Sequence, residues 1–430
     1  MGYKPRPFDL AQGKPSRAAF LNKHTIIYSG CYNVGMLNIT YEYKLEPTLE
    51  QEAVIEDWLE ICRKVYNYAL AERKDWARSR KSPIDACRLD REYIIPVDAK
   101  RPTFSGQCKS LAAAKKEIPE LKRPHTHVLQ QVLRILEAAF VAMWERGHGF
   151  PRFKKRMRSF VFPQLNKGVV QGSRVNLPKI GWVKMRLSRP VPEGFEAKQI
   201  RVVKRASGYY VMIVFQSDVE VPAVQPHGEP LGVDVGLESY LATSAGELVE
   251  NPRFFANGQR KLKSLQRQLK RKKKGSNRWL KLQKKIARHH EYLANARKDF
   301  QFKLAHHLCD RAGMIFVEKL NLKGLAKGML AKHCLDAAWG NYLSIQEWVC
   351  SKRGVYFGGV EASGTSQECP ACAAVVKKDL SVRVHQCPEC GYTTNRDVAA
   401  AQVVRNRGLA AVGHTVKKLK EGNADGHPTN

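Results

Sequence analysis

From Met36 onward the chain alternates. Leu37-Asn-Ile-Thr-Tyr-Glu-Tyr-Lys-Leu45 places an apolar residue at every second position, the period of a half-buried strand. Pro47-Thr48 ends the alternation, and Thr48 with Gln51 three residues later forms a capping box for a helix. Val54, Trp58, Cys62, Val65 and Ala69 then recur at helical spacing. A second helix is predicted over about 127–146, with Val128, Val132, Ile135, Leu136, Ala139, Phe140 and Met143 on its apolar face. Residues 80–125 are less regular. Between 158 and 221 the pattern returns to short strands separated by turn residues: Ser159–Pro163, Val175–Leu177, Gly181–Arg186, Ile200–Lys204 and Tyr209–Phe215. That series predicts a small β-barrel or sandwich, joined by the first strand, with the helical segment as an insertion. Pro222 to Pro230 reads as a linker.

Beyond the linker the apolar runs lengthen. Leu231-Gly-Val-Asp-Val235 reads as a buried strand leading into a hairpin that turns at Ser244-Ala-Gly246. Gly313-Met-Ile-Phe-Val-Glu318 is a second buried strand, and Thr394-Asn-Arg-Asp397 opens a helix with Asp397 in its first turn. Between the strands, Trp279, Leu282, Ile286, Leu293, Phe300, Leu304 and Leu308 fall at helical spacing, with a break at Gly275-Ser-Asn277. This predicts a helical hairpin over 256–312. Residues 1–35 carry no period and read as a disordered extension, as does the tail 411–430.

Composition changes the picture through charge. A chain of 430 residues is long enough for several domains, and it carries a net charge of +33 with a pI near 9.8. Such an excess implies a polyanionic partner, most commonly nucleic acid. A membrane surface is disfavoured: there is no apolar run of spanning length and no signal peptide, so the reading is a cytoplasmic protein, nucleoid-associated when bound to DNA. From Arg260 to Lys298 there are sixteen Lys and Arg against one acid, Glu291. A charge run is often only a solvated face. The near absence of balancing acids instead favours phosphate contact, with Lys270, Arg271, Lys272, Lys273, Lys274, Arg278 and Arg297 as candidates. The basic, aromatic-interleaved loop Gly149–Arg156 adds Arg152, Lys154 and Lys155. Such contacts set affinity and not sequence choice.

Two groups of residues carry candidate chemistry. Seven of the eleven cysteines are scattered, and the other four form Cys369-Pro-Ala-Cys372 and Cys387-Pro-Glu-Cys390. Two C-x-x-C knuckles suit one tetrahedral zinc ion, and a closed four-thiolate shell makes it structural. A redox pair is the alternative, although that motif is more often single and beside a βαβ unit. His385 lies between the knuckles, but four cysteines already complete the shell. The second group is Asp234, Glu318 and Asp397, each at the end of an otherwise apolar element. A carboxylate there is costly to desolvate unless it is paired or holds a cation, and several at one sheet edge suit magnesium. Two such ions can stabilise both the attacking and leaving oxygens in phosphodiester hydrolysis. Taken singly, each acid could equally be a cap or a surface carboxylate.

These pieces together resemble the TnpB (OrfB) family, the RNA-guided nucleases of bacterial insertion sequences, which are similar to compact type V CRISPR effectors. The resemblance is carried by Gly232-Val-Asp-Val-Gly-Leu237, Lys272-Lys-Lys-Gly-Ser276, Arg297-Lys-Asp-Phe300, Val317-Glu-Lys-Leu-Asn321, Trp339-Gly340, Thr365-Ser-Gln-Glu-Cys-Pro-Ala-Cys372, Cys387-Pro-Glu-Cys-Gly391 and Asn395-Arg-Asp-Val-Ala-Ala-Ala401. Upstream it includes Val65-Tyr-Asn-Tyr-Ala-Leu70, Gly149-Phe-Pro-Arg-Phe153 and Leu177-Pro-Lys-Ile-Gly-Trp182.

The resemblance implies a multidomain α+β protein: an N-terminal β-barrel holding a helical recognition insert, then a RuvC-like (RNase H-type) α/β nuclease core with a helical hairpin and a four-cysteine zinc-ribbon insertion. The expected boundaries are 36–48 for the first barrel strand, 49–148 for the insert and 149–227 for the barrel. The nuclease then takes 228–364, the ribbon 365–394 and the last nuclease segment 395–410. By position Asp234, Glu318 and Asp397 match the catalytic acids, which hold two Mg²⁺ ions. The expected partners are a transposon-derived guide RNA and double-stranded target DNA in a monomeric ribonucleoprotein, with the protein reading a short flanking motif. Tyr66, Asn67, Gln130, Gln131 and Arg134 in the insert are base-reading candidates, since Asn and Gln suit adenine and Arg suits guanine. Three alternatives stay open: a guided DNA binder without cutting activity, a CRISPR-associated effector, and a transposase proper.

Overall fold

The computed structural model describes residues 37–80, 87–88, 93–219, 222–379 and 382–413. The extensions expected over 1–35 and past Gly413 lie outside the described residues. Two compact units divide at Pro222.

The first unit opens with strand β1 (Leu37–Glu46), followed by helices α1 (Leu49–Ser79), α2 (Phe104–Glu117) and α3 (Thr126–Arg146). The strands β2 (Ser159–Phe162), β3 (Val170–Gln171), β4 (Arg174–Leu177), β5 (Gly181–Arg186), β6 (Glu196–Arg205) and β7 (Gly208–Ser217) complete it. Seven strands form one sheet in the order β2-β6-β7-β1-β5-β4-β3, antiparallel throughout. β1 pairs with β7 from Leu37 opposite Ser217 to Lys44 opposite Tyr210, then passes at Lys44–Glu46 to β5. Among the described residues the two outer strands are not paired with each other. Where the pattern predicts a small barrel or sandwich, the structure has an open, curled sheet, whose outer strand β3 has only two residues with which to close a ladder.

The capping box forms as its residues dictate: Gln51 N–H donates to Thr48 Oγ1 at 3.3 Å and Thr48 N–H to Gln51 Oε1 at 3.1 Å. The buried face of α1 runs through Ile55, Trp58, Leu59, Cys62 and Leu70, and Val54, expected on that face, is exposed. Trp58 meets Phe160 and Phe162 of β2 at ring distances of 5.5 and 6.1 Å, which joins helices and sheet in one core. α2 carries no readable apolar stripe, since only Gln107 and Leu111 are buried; Gln107 is held by the Arg73 guanidinium at 2.9 Å.

The second unit is built on a five-stranded sheet. Its elements are β8 (Pro230–Val235), β9 (Ser239–Thr243), β10 (Leu248–Glu250), the hairpin helices α4 (Phe254–Lys270) and α5 (Asn277–Cys309), β11 (Met314–Glu318), α6 (Ala331–Ala337), α7 (Trp339–Arg353) and β12 (Tyr356–Val360). The short pair β13 (Val384–Gln386) and β14 (Thr393–Asn395) precedes α8 (Arg396–Ala411). The sheet order is β10-β9-β8-β11-β12, with β8, β11 and β12 parallel and the other two antiparallel. α8 lies across β8 because position 232 has no side chain: a Cβ there would sit 2.0 Å from the Ala401 carbonyl oxygen. Among the described residues no helix is long and apolar enough to cross a membrane.

Candidate functional site

Asp234 sits near the end of β8, which is anchored by mutual bonds between Gly232 and Ser244: Gly232 N–H to Ser244 Oγ at 3.0 Å and Ser244 N–H to the Gly232 carbonyl at 2.9 Å. Glu318 ends the neighbouring strand. The parallel register pairs Val233 with Val317, so Asp234 and Glu318 follow side by side and leave the sheet on the same face. Asp397 enters from α8, whose cap is Asn395: its Oδ1 accepts from Asp397 N–H at 2.9 Å and Val398 N–H at 3.4 Å.

The electrostatics tie the three together. Burial pushes the Asp234 carboxyl well above the usual carboxylate range, and the charges of Glu318 and Asp397 push it further; Arg396 pulls against them. Burial also raises Glu318, opposed by a hydrogen bond from the buried Thr365 hydroxyl and by the charge of Arg407. Arg407 is in turn fixed by Glu368 at 2.6 Å and by the carbonyls of Glu361 at 2.9 Å and Ser363 at 2.7 Å. The acids are not drawn into a tight shell. Among the described residues, the four cysteines are the one set of three or more His, Cys, Asp and Glu side chains gathered closely enough to share an ion.

In the cysteine centre all four sulfurs lie within 4.8 Å of one another, with Cys369 to Cys390 at 3.7 Å and Cys372 to Cys387 at 3.6 Å. A tetrahedral thiolate shell with Zn–S bonds of about 2.3 Å puts its sulfurs about 3.8 Å apart, so this centre fits zinc. His385 is buried beside it against Lys378 and does not join the set.

The basic candidates fall into two groups. Lys270, Arg271, Lys272, Lys273, Lys274 and Arg278 are exposed at and beside the hairpin turn, and Arg152 and Lys155 are exposed on their loop. Arg297 is committed elsewhere: it bonds the buried Asp336 at 2.8 Å, whose carboxylate also accepts from Phe255 N–H at 2.8 Å and caps α4. Of the base-reading candidates, Tyr66 is buried with the Lys154 ammonium 4.2 Å from its ring centre. The Asn67 amide is spent on the Lys154 backbone, donating at 2.9 Å and accepting at 2.8 Å. Those three side chains brace a loop. Gln130 and Gln131 are half-buried on α3, and Arg134 is exposed with its guanidinium 5.2 Å from the Phe104 ring. Sequence reasoning missed Thr365, Asp336, Arg396 and Arg407; the first and the last two lie inside or beside the quoted motifs, which was the available signal.

The comparisons with known proteins agree with this layout. A family model described as "Probable transposase" matches residues 213–329, a "Cas12f1-like, TNB domain" model matches 339–404, and a "Helix-turn-helix domain" model matches 36–82, where the structure has one strand and one uninterrupted helix. The chain is 31% identical to the "Putative RNA-guided DNA endonuclease InsQ" of Escherichia coli (strain K12), over 90% of this chain and 95% of that protein. It is 29% identical to a "Putative RNA-guided DNA endonuclease" of Streptomyces pristinaespiralis, over 86% and 89%. Among solved structures, the protein of the Cas12f1-sgRNA-target DNA complex shares the fold at a TM-score of 0.52 and 12% identity, with 86% of this chain and 99% of that one covered. With a relative at 31% identity aligned along nearly its whole length, and with the carboxylate strands and cysteine knuckles lying where these models match, the chain belongs to the OrfB (TnpB) family.

Proposed function

We propose that the protein is the RNA-guided DNA endonuclease of an insertion element, and that its second unit is a RuvC-like nuclease using Asp234, Glu318 and Asp397. The observation that carries this reading is geometric: the parallel register sets Asp234 and Glu318 side by side at one sheet edge, with Asp397 entering from the start of α8. Burial raises the Asp234 carboxyl and the charges of Glu318 and Asp397 raise it further, against Arg396 and the Val235 backbone N–H, so the site favours added positive charge. An all-oxygen donor set of this kind fits magnesium, which takes carboxylate ligands and keeps several waters. When bound, two magnesium ions would supply Lewis acidity and an activated water for phosphodiester hydrolysis.

The chain's own residues do the positioning. Asp234 and Glu318, side by side on parallel strands, present carboxylates from rigid backbone, and the Thr365 hydroxyl fixes which oxygen of Glu318 is free. Asp397 comes from a capped helix start, so its reach is set by Asn395. Arg396 puts a positive charge beside the acids, where a scissile phosphate would lie. The exposed lysines and arginines of the hairpin turn, with Arg152 and Lys155, would hold the guide RNA and DNA by their backbones. The relatives' names support guidance, and the zinc centre, closed by four thiolates, serves structure.

The test is cleavage of a target matched to the RNA that co-purifies with the protein. Asp234→Ala is expected to lower cleavage by about 10³-fold or more while leaving target binding within a few-fold. Undiminished cleavage would remove Asp234 from the chemistry.

A further inference from the structure

The loop that follows α3 shows aromatic side chains to solvent where a small unit would normally bury them. Trp144 at the end of α3 is 49% exposed, and Phe150 and Phe153 on the loop are 42% and 47% exposed. They are not loose. Gly147 takes the left-handed conformation (φ 65°) that ends α3 and turns the chain. The buried Phe140 ring then holds both Trp144 and Phe150, at ring distances of 5.6 and 5.4 Å. Two residues past Arg152, the Asn67 amide clamps the Lys154 backbone from both sides.

Two of the exposed rings are also paired with a cation. The Arg101 guanidinium lies 3.9 Å from the Trp144 ring centre, and the Lys74 ammonium 5.2 Å from that of Phe153. Between Trp144 and Arg158 the chain carries Arg146, Arg152, Lys154, Lys155, Arg156 and Arg158 against Glu145 alone. Apolar surface of this extent, surrounded by uncompensated positive charge, suits neither a membrane core nor an ordinary protein partner. Flat rings beside cations suit a ligand that is flat and anionic at once, which describes an unpaired nucleotide. A base stacks on the ring or guanidinium plane, and its phosphate meets the neighbouring cation. Base-paired nucleic acid hides those base faces and could use only the charge.

We infer that Trp144, Phe150 and Phe153, with Arg101 and Lys74, form a stacking site for unpaired nucleotides, made of residues other than the carboxylate cluster. The inference rests on the nucleic-acid reading above and adds to it where a single-stranded segment is gripped and by what force.

The experiment uses the full chain and measures its affinity for three probes of equal length: oligouridine RNA, oligothymidine DNA and a DNA duplex. The triple variant Trp144→Ala, Phe150→Ala, Phe153→Ala is expected to lose at least about tenfold in affinity for a single strand and less than about twofold for duplex. Its slope of log affinity against log salt should stay unchanged, because stacking neutralises no phosphate. The variant Trp144→Phe, Phe150→Tyr, Phe153→Tyr keeps flat rings and should keep wild-type affinity, which separates stacking from a general disturbance of the loop. Loss on RNA alone, or on both single strands, supports the site and names its source. Equal loss on duplex, no loss at all, or failure of the ring-preserving variant to bind overturns it. A wild-type chain that binds none of the probes overturns the nucleic-acid reading itself, an outcome distinct from any failure of the variants.

Discussion

An aspartate held between two other acids is worse off folded than unfolded until a cation joins it. In the metal-free chain Asp234 keeps its proton to a higher pH than it would in the unfolded chain, through burial and the charges of Glu318 and Asp397. The folded state therefore binds more protons than the unfolded one over that interval, and stability falls as pH rises through it. Asp234→Asn removes the charge and keeps the shape. In chelator this variant should melt about 2 °C above wild type near pH 8, with the gap closing by about pH 3, where Asp234 is largely protonated in both states. A gap independent of pH, measured by calorimetry, would mean that Asp234 stands outside the field of the other two acids. The cysteine centre was legible in the sequence because a pair repeats at fixed spacing, and the three acids were marked as candidates because each stands at the end of an otherwise apolar element. Thr365 lies inside a quoted motif but has no mark in the local pattern, since a threonine in a loop breaks nothing, and its contact is set by the strand end that it faces. Tyr66, Asn67 and Arg297 were misplaced for the reverse reason. Residue type suggested recognition, but burial and partners decide whether a side chain is available, and neither is encoded in local spacing.

At the scale of elements, the strongest constraints come from side chains that are missing. A Cβ on Gly232 would meet the Ala401 carbonyl oxygen at 2.0 Å and the Arg405 N at 2.6 Å, both backbone atoms of α8 that cannot turn aside. A Cβ on Gly258 of α4 would be opposed at 2.8 Å by Leu293 Cδ2, the far end of a side chain with other rotamers. Both positions are crowded, yet the physical cost differs. Gly232→Ala should destabilise by about 3 kcal/mol or more and move α8, and with it Asp397, off the β8 edge, so that cleavage falls even where the chain is still folded. Gly258→Ala should cost about 1 kcal/mol or less, because helix propensity favours alanine while the contact asks only for a rotamer change. Denaturant melts of the two variants decide the order, and equal effects would refute the backbone argument. The sequence displayed β1, α1, α3 and the hairpin helices well, because each buries one regular face, but it did not display α7 or β12. It displayed α2 poorly, since a helix that buries only Gln107 and Leu111 has almost no period to read. The expected barrel or sandwich came from six of the seven strands, the two-residue Val170–Gln171 being too short to read, and closure depends on whether the outer strands meet, which no strand's own pattern specifies.

Across the whole molecule the dominant quantity is charge, and it is unevenly placed. Of a net +33, the stretch from Arg260 to Lys298 holds sixteen bases against one acid. The hairpin that carries them is well anchored at its base, where Asp336 caps α4 and Phe300, Leu304 and Leu308 are buried, and thinly anchored towards its turn, where Leu262 and Leu282 are buried. Among the described residues, no side chain from Arg260 to Lys285 ion-pairs with an acid, so these charges are not spent on the fold. If they meet phosphates, each contact releases counterions and steepens the dependence of binding on salt by about 0.9 per phosphate. Replacing Lys270, Arg271, Lys272, Lys273 and Lys274 by alanine should then flatten the slope of log affinity against log salt by about 2 to 4, with cleavage at saturating protein within about twofold. Lys270 is the last helical residue of the five and the other four follow it in the turn, so folding should be little affected and a melt should show it. An unchanged slope would mean that the run is a solvated face after all, and the remaining excess, spread over the rest of the chain, would have to carry the polyanion. That outcome would leave the acids and the cysteine centre untouched, because nothing in their geometry draws on the hairpin turn.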